Sequence, residues 1–366
     1  MNHLTLAAVV FVVTAFSCGF FVLLNQKINF GQDKLNGVQK FHLSPTSRLG
    51  GFAIMLGLLT ADFLIHLFLY KSYGLFDLLL LSSLPIFLGG ITEDFTHHVP
   101  PSTRLLLALF SASFVFFLTG ISVERTDVFF IDFFLQWTPI AFLVTLLVIA
   151  GFSHSINIID GFNGLASGQI ILMIGFLAYL NYAYAQEDLL FICILLECIV
   201  IAFFFWNWPK GKIFLGDGGA YLLGFFVVSM GLILVQRRPE ISPFTPIMIG
   251  IAPLVEALFS IYRRALIKKR AITKPDALHL HTLVYRRIIK LSPGTSKFSP
   301  TTLNSLVGPF FWFSSFMFSF FSVAFCENKF PLMILFLSYI GLYLWLFKRL
   351  ISFNNPFNHI FKKKSY

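Results

Sequence analysis

A chain of 366 residues that is 57% hydrophobic and 12% charged is too apolar for an ordinary soluble domain, in which about 25% of residues are charged. Lys and Arg outnumber Asp and Glu by 27 to 17, for a net charge of +10. The four cysteines show neither zinc-ligand spacing nor a disulfide framework, which excludes a cysteine-stapled secreted module.

A membrane-spanning helix needs about 20 apolar residues. Eleven runs qualify: 4–24, 49–70, 75–92, 104–120, 138–153, 164–186, 189–207, 213–235, 244–262, 303–325 and 331–348. They predict an all-α fold, a polytopic integral membrane helical bundle of about 11 transmembrane helices. It is read as a single domain over 1–350 with a basic tail over 351–366. The first run lacks a basic leading segment and is too long for a cleaved signal peptide, so it is read as a span. An amino terminus outside and a carboxyl terminus in the cytoplasm leave only Lys71, Arg125, Arg237, Arg238 and Lys329 outside, and put the other 22 of the 27 basic residues inside. Cytoplasmic loops carry the Lys/Arg excess, so this orientation is the expected one. The positive charge then faces anionic lipid and calls for no nucleic acid.

The polar motifs between spans all fall on the cytoplasmic side of this topology. The first ends in Ser44-Pro45-Thr46-Ser47-Arg48-Leu49-Gly50-Gly51, where paired glycines let backbone approach a phosphate and Arg48 is a bidentate donor. A positive-inside anchor is the plain alternative. The second, Gly89-Gly90-Ile91-Thr92-Glu93-Asp94-Phe95, leads to Arg104-Leu105-Leu106. Its adjacent carboxylates suit a divalent cation or a proton acceptor, or simply a solvated loop.

The third motif, Asn157 to Gly168, contains Asp160-Gly161 and Asn163-Gly164. Asp160 and Asn163 are three apart and share a helical face, with side chains able to pair with nucleobase, ribose or sugar. A turn between spans also favours such pairs. The fourth, Gly216-Asp217-Gly218-Gly219, puts an acid at the mouth of an apolar run. An ionised group there is costly unless paired and suggests function, with Mg²⁺ as its natural partner where phosphates are handled. A helix cap is the alternative. The last, Asp276-Ala277-Leu278-His279-Leu280-His281-Thr282, has no zinc-like third ligand nearby and suits hydrogen bonding to a diphosphate.

In this order the five motifs resemble the polyprenyl-phosphate N-acetylhexosamine-1-phosphate transferases, over nearly the whole chain. Eleven spans with the amino terminus outside look more like the GlcNAc-1-phosphate branch than the ten-span muramoyl-pentapeptide branch. The resemblance implies transfer of an amino-sugar-1-phosphate from a UDP-sugar to undecaprenyl phosphate, with release of UMP, in a multi-pass protein of the bacterial inner membrane. It implies Mg²⁺ as cofactor, with Mn²⁺ as a substitute, held by Asp217 and Asp94. Glu93, Asp94 and Asp160 are its candidate catalytic acids. Asn157 and Asn163, with Asp160, would contact nucleotide or sugar, while Arg48, His279 and His281 would hold phosphates. Implied partners are undecaprenyl phosphate, the UDP-amino sugar and membrane lipids, with a homodimer left open.

Two positions depart from the family pattern. Glu93 stands where the pattern has the first of two aspartates, and Thr282 where it has a further histidine. Asp62, Glu197 and Glu256 fall within predicted spans, with interhelical pairing as their only reading. A secondary transporter or lipid flippase is the competing class, and an inactive membrane scaffold a third. Transporters place ionisable groups near the bilayer midplane, often in broken helices, whereas these acids cluster at one face.

Overall fold

The computed structural model describes residues 2–27, 32–33, 46–69, 74–267, 278–292 and 294–352. Pro45, Asp276, much of the basic loop beyond residue 267 and nearly all of the basic tail lie outside the described residues.

Ten helical segments are long and apolar enough to cross a membrane. They are α1 (His3–Lys27), α2 (Gly50–Phe68), α3 (Gly74–Thr96), α4 (Pro101–Thr119), α6 (Thr138–Ile159), α7 (Leu165–Ala183), α8 (Glu187–Asn207), α9 (Gly216–Arg237), the pair α13 (Pro300–Ser305) and α14 (Val307–Ala324), and α15 (Lys329–Ile351). A short aromatic helix, α5 (Phe129–Leu135), precedes α6. The only described strands are a two-residue pair, β1 (Gln32–Asp33) and β2 (Thr46–Ser47).

The segment expected as a continuous span over 244–262 is instead two helices, α10 (Phe244–Ile249) and α11 (Ile251–Tyr262), meeting at Gly250. Pro253 explains the break. It has no N–H to give the carbonyl of Ile249, and its ring would clash there. Gly250 also sits against the Phe152 ring, with no room for a Cβ.

Helix α9 is the axis of the bundle. Its window is 83% buried, against 22% for α4 and α15 at the periphery, and α2, α3, α6 and α7 all pack on it. Phe76, Phe225 and Phe226 are fully buried in the surrounding core. The outward faces carry exposed Phe16, Phe63, Phe117, Phe205 and Phe313. Such a belt is stable only where lipid replaces water, so the chain is a multi-pass membrane protein. A second apolar core joins α10, α11, α14 and α15 to a short helix, α12 (Leu280–Val284), through Val255, Leu283, Val307 and Phe347.

Successive spans run in opposite directions, so the ends of α3, α6 and α8 gather with the starts of α2, α4, α7 and α9. Every described polar motif sits at that one end.

Candidate active site

The start of α9 is tied to the start of α2 by backbone. Phe214 donates its N–H to the Ser47 carbonyl (2.8 Å), Gly50 to the Phe214 carbonyl (3.1 Å) and Gly51 to the Leu215 carbonyl (2.8 Å). Gly216 turns the chain into α9 with φ of +74°, a conformation glycine adopts without penalty. A Cβ there would also stand 2.6 Å from Asp94 Oδ2.

This zipper puts Arg48 between two acids. Its Nε lies 3.0 Å from Asp94 Oδ1 and its Nη2 2.8 Å from Asp217 Oδ1. Asp217 Oδ2 is paired with Arg104 Nη1, which also reaches the Tyr221 hydroxyl at 3.4 Å. Asn157 donates from Nδ2 to Asp217 Oδ1 at 3.0 Å. Residues from α4, α6 and the segment just before α2 thus converge on one carboxylate of α9.

Asp94 has a different place. It is wholly buried, and its oxygens accept the backbone N–H groups of Asp217 (2.8 Å) and Gly218 (2.9 Å). It therefore anchors the first turn of α9, where unpaired N–H groups and the helix dipole favour an anion. Glu93 is half-buried and accepts from the Val99 N–H at 2.8 Å, while its charge still reaches Arg104 and Tyr221.

The third motif bridges to the histidines. Asp160 is half-buried at the end of α6, one turn beyond Asn157. Gly161 lies against the His281 ring, with Nε2 3.6 Å from where a Cβ would stand. The Phe162 ring packs against those of His281 and Tyr285. Asn163 is buried and spoken for: its N–H donates to Asn304 Oδ1 (2.8 Å) and its Nδ2 to the Pro209 carbonyl (3.1 Å). Its contacts fasten the loop rather than open toward the acids.

His279 and His281 are stacked, with centroids 5.2 Å apart and planes within 7°. His279 Nδ1 sits 2.9 Å from Glu256 Oε1, and Glu256 also accepts from the Leu280 N–H at 3.0 Å. Glu256 thereby gains an account that sequence alone lacked: it holds the histidine segment. Burial pushes the His281 pKa down to about 4, against an opposing pull from Glu256, so the ring is neutral at pH 7. Thr282, at the departure from the family pattern, is buried.

Arg104, Tyr221, His154 and Glu256 are site or supporting residues that sequence reasoning did not assign. Tyr221 follows Asp217 by one helical turn, and the His154 ring packs on it at a tilt, with centroids 4.6 Å apart. That i, i+4 spacing was the available signal for Tyr221. Nothing local marked the pairing of Arg104 with an acid 113 residues away.

The donor set suits Mg²⁺. It offers oxygen ligands only, with one carboxylate, Asp217, at the site's mouth, and Mg²⁺ is usually held by one or two carboxylates plus substrate phosphates. Asp94 is enclosed, with its oxygens on backbone and Arg48, so Asp217, nearer the mouth, is the carboxylate that would hold the ion by exchanging its Arg48, Arg104 and Asn157 partners.

The model of glycosyl transferase family 4 matches residues 76–235, a stretch holding Glu93, Asp94, Arg104, Asn157, Asp160, Asn163, Asp217 and Tyr221. Over that stretch the chain is similar to that family. The chain is 27% identical over 251 residues to a probable undecaprenyl-phosphate N-acetylglucosaminyl 1-phosphate transferase of Bacillus subtilis, covering 66% of each chain. It is 29% identical over 213 residues to an undecaprenyl-phosphate alpha-N-acetylglucosaminyl 1-phosphate transferase of Thermotoga maritima, covering 57% of this chain and 62% of the relative. With a phospho-N-acetylmuramoyl-pentapeptide-transferase of Streptococcus equi it shares 27% identity over 262 residues, or 68% of this chain and 76% of the relative. The matches to the Bacillus and Thermotoga relatives thus span less than two-thirds of those proteins' lengths. They bear out the superfamily resemblance, and relatives of both branches match at similar identity.

Proposed function

We propose that the chain transfers an N-acetylhexosamine-1-phosphate, or a related amino-sugar-1-phosphate, from a UDP-sugar to undecaprenyl phosphate at the cytoplasmic membrane face. UMP leaves, and the lipid-linked sugar begins a cell-envelope glycan. The observation that carries this reading is the convergence of Arg48, Arg104 and Asn157 on Asp217 at a helix amino terminus, at the end of the bundle where a membrane acceptor and a soluble donor can meet.

In the step, an oxygen of the acceptor phosphate forms a bond to the donor's β-phosphorus as the bond from that phosphorus to the UMP oxygen breaks. Phosphoryl transfer depends on positioning and charge neutralisation more than on covalent help from the protein. Arg48 and Arg104 supply positive charge that can pass from Asp217 to the substrate's phosphates. Asn157 and Asp160 line the approach for nucleotide or sugar, and His281 presents Nε2 beside Gly161. A phosphate monoester with a second pKa of about 6 is already mostly ionised at pH 7, so removal of a proton by Glu93 or Asp94 is not a requirement. Asp217 would hold Mg²⁺, which when bound lowers the repulsion between the diphosphate and the incoming phosphate.

The test is UMP release by purified protein given undecaprenyl phosphate, Mg²⁺ and a panel of UDP-N-acetylhexosamines. Mg²⁺-dependent UMP that falls by about 10²-fold or more in Asp217→Asn supports the reading, and the best donor names the sugar. Folded protein that releases no UMP from any donor, yet moves a solute across vesicles, would support the transporter instead.

A further inference from the structure

Behind the histidine pair lies a small enclosed cavity that the transfer step does not use. It runs between α7, α11, α14 and α15 and is lined by Gln169, Glu256, His281, Tyr339 and Tyr343 among apolar side chains. It offers about 10 Å³ to water centres, close to the need of one water molecule. Gln169, 1% exposed, has neither its amide nitrogen nor its amide oxygen hydrogen-bonded. His281, 4% exposed, leaves Nδ1 unpartnered, and the buried Tyr343 hydroxyl makes no hydrogen bond of normal geometry. Buried polar atoms are seldom left this way, and a single water supplies several of the missing hydrogen bonds at once.

We infer that Gln169 is a positioning residue that, through one water in this cavity, holds His281 with its proton on Nε2. The hydrogen bonds available decide the tautomer. The amide N–H of Gln169 and the hydroxyl of a wall tyrosine, Tyr339 or Tyr343, donate to the water's lone pairs. The Glu256 carboxylate is the strongest acceptor on the wall and takes one of the water's hydrogens. The other is then given to His281 Nδ1, which accepts it only if it carries no proton of its own. The neutral ring therefore turns an Nε2–H donor to the Gly161 side, where the proposed reaction places a phosphate. That consequence rests on the proposed function; the tautomer does not.

Full-length protein with ¹⁵N-labelled histidine, in detergent at pH 7, provides the readout, with the His281 signals assigned by their loss in His281→Gln. The expected result is a pyridine-type Nδ1 and a pyrrole-type Nε2 in the native chain. Gln169→Met should convert this to a tautomer mixture and lower kcat about tenfold, the equivalent of one hydrogen bond, with less effect on KM. Asn181→Leu removes another buried amide from α7 away from the cavity, and should change neither readout. If Gln169→Met does not fold, Tyr343→Phe, which removes one oxygen, should shift the same signals. A protonated Nδ1 in the native protein, or a tautomer indifferent to both cavity variants, overturns the inference. Signals that shift as expected in a protein releasing no UMP leave the inference standing and defeat the transferase reading.

Discussion

Asp94 and Asp217 look alike in sequence, each an acid beside a glycine-containing motif, yet the fold gives them separate work. Asp217 meets side chains from α4, α6 and the segment before α2 near the site's mouth, while Asp94 is enclosed and spends its oxygens on the backbone of α9 and on Arg48. Asp94→Asn sets an amide N–H₂ against a backbone N–H and strips Arg48 of a partner. Loss of one member of such a buried arrangement costs about 3 kcal/mol, so the thermal midpoint in detergent should drop sharply together with activity. Asp217→Asn should abolish activity with a much smaller change in midpoint. Equal midpoints for the two variants would remove the distinction. His281 adds a pH dependence of stability. Its pKa is held near 4 in the fold, below the ordinary value near 6.5, so the unfolded chain binds the extra proton first. The contribution is complete above about pH 6.5 and is lost as pH falls toward 4, on the order of 2 kcal/mol between pH 7 and pH 5. Glu256 from α11, His279 just before α12, and Tyr339 and Tyr343 from α15 are the titratable groups around it. Thermal unfolding at the two pH values should show a gap that narrows in His281→Gln.

At the scale of helices, the glycines of the motifs matter for packing as much as for ligands. A Cβ on Gly90 would lie 2.6 Å from Gly218 Cα, and one on Gly51 would collide with the Gly219 nitrogen. These pairs let α2 and α3 touch the first turn of α9 backbone to backbone, which fixes Asp217 relative to Arg48 and Asp94. Gly90→Ala must push α3 from α9, and overpacking of this kind costs about 1–3 kcal/mol. The expected outcome is a fall in kcat larger than the lost stability implies, measured beside Gly175→Ala, where a Cβ meets nothing. The spans themselves were readable because their signal is local: about 20 apolar residues between polar loops. The break between α10 and α11 was harder to see, because apolar length hid what Pro253 does to the hydrogen bond at Ile249. The convergence of Arg104 on Asp217, and of Glu256 on His279, depends on contacts between distant helices that no local pattern records. The motif residues were therefore legible as a set, while their division into anchors and mouth residues was not.

For the molecule as a whole, the proposed chemistry stands or falls with orientation. Every described motif lies at one end of the bundle, and a UDP-sugar is a cytosolic compound, so the proposed reaction requires that end to face the cytoplasm. The charge count predicts the same, with Lys329 at the opposite end and Lys297 on the motif side. Both are exposed, which makes them suitable reporters. In a Cys326→Ser background, where the remaining cysteines Cys18, Cys193 and Cys198 lie within spanning helices, Lys329→Cys should react with a membrane-impermeant maleimide on intact cells. Lys297→Cys should stay unlabelled until the membrane is opened. The reverse pattern would put Asp217 and the histidines on the outer face, out of reach of any nucleotide sugar. No local rearrangement could then rescue the transferase reading, because turning the bundle over would require every polar loop to cross the bilayer.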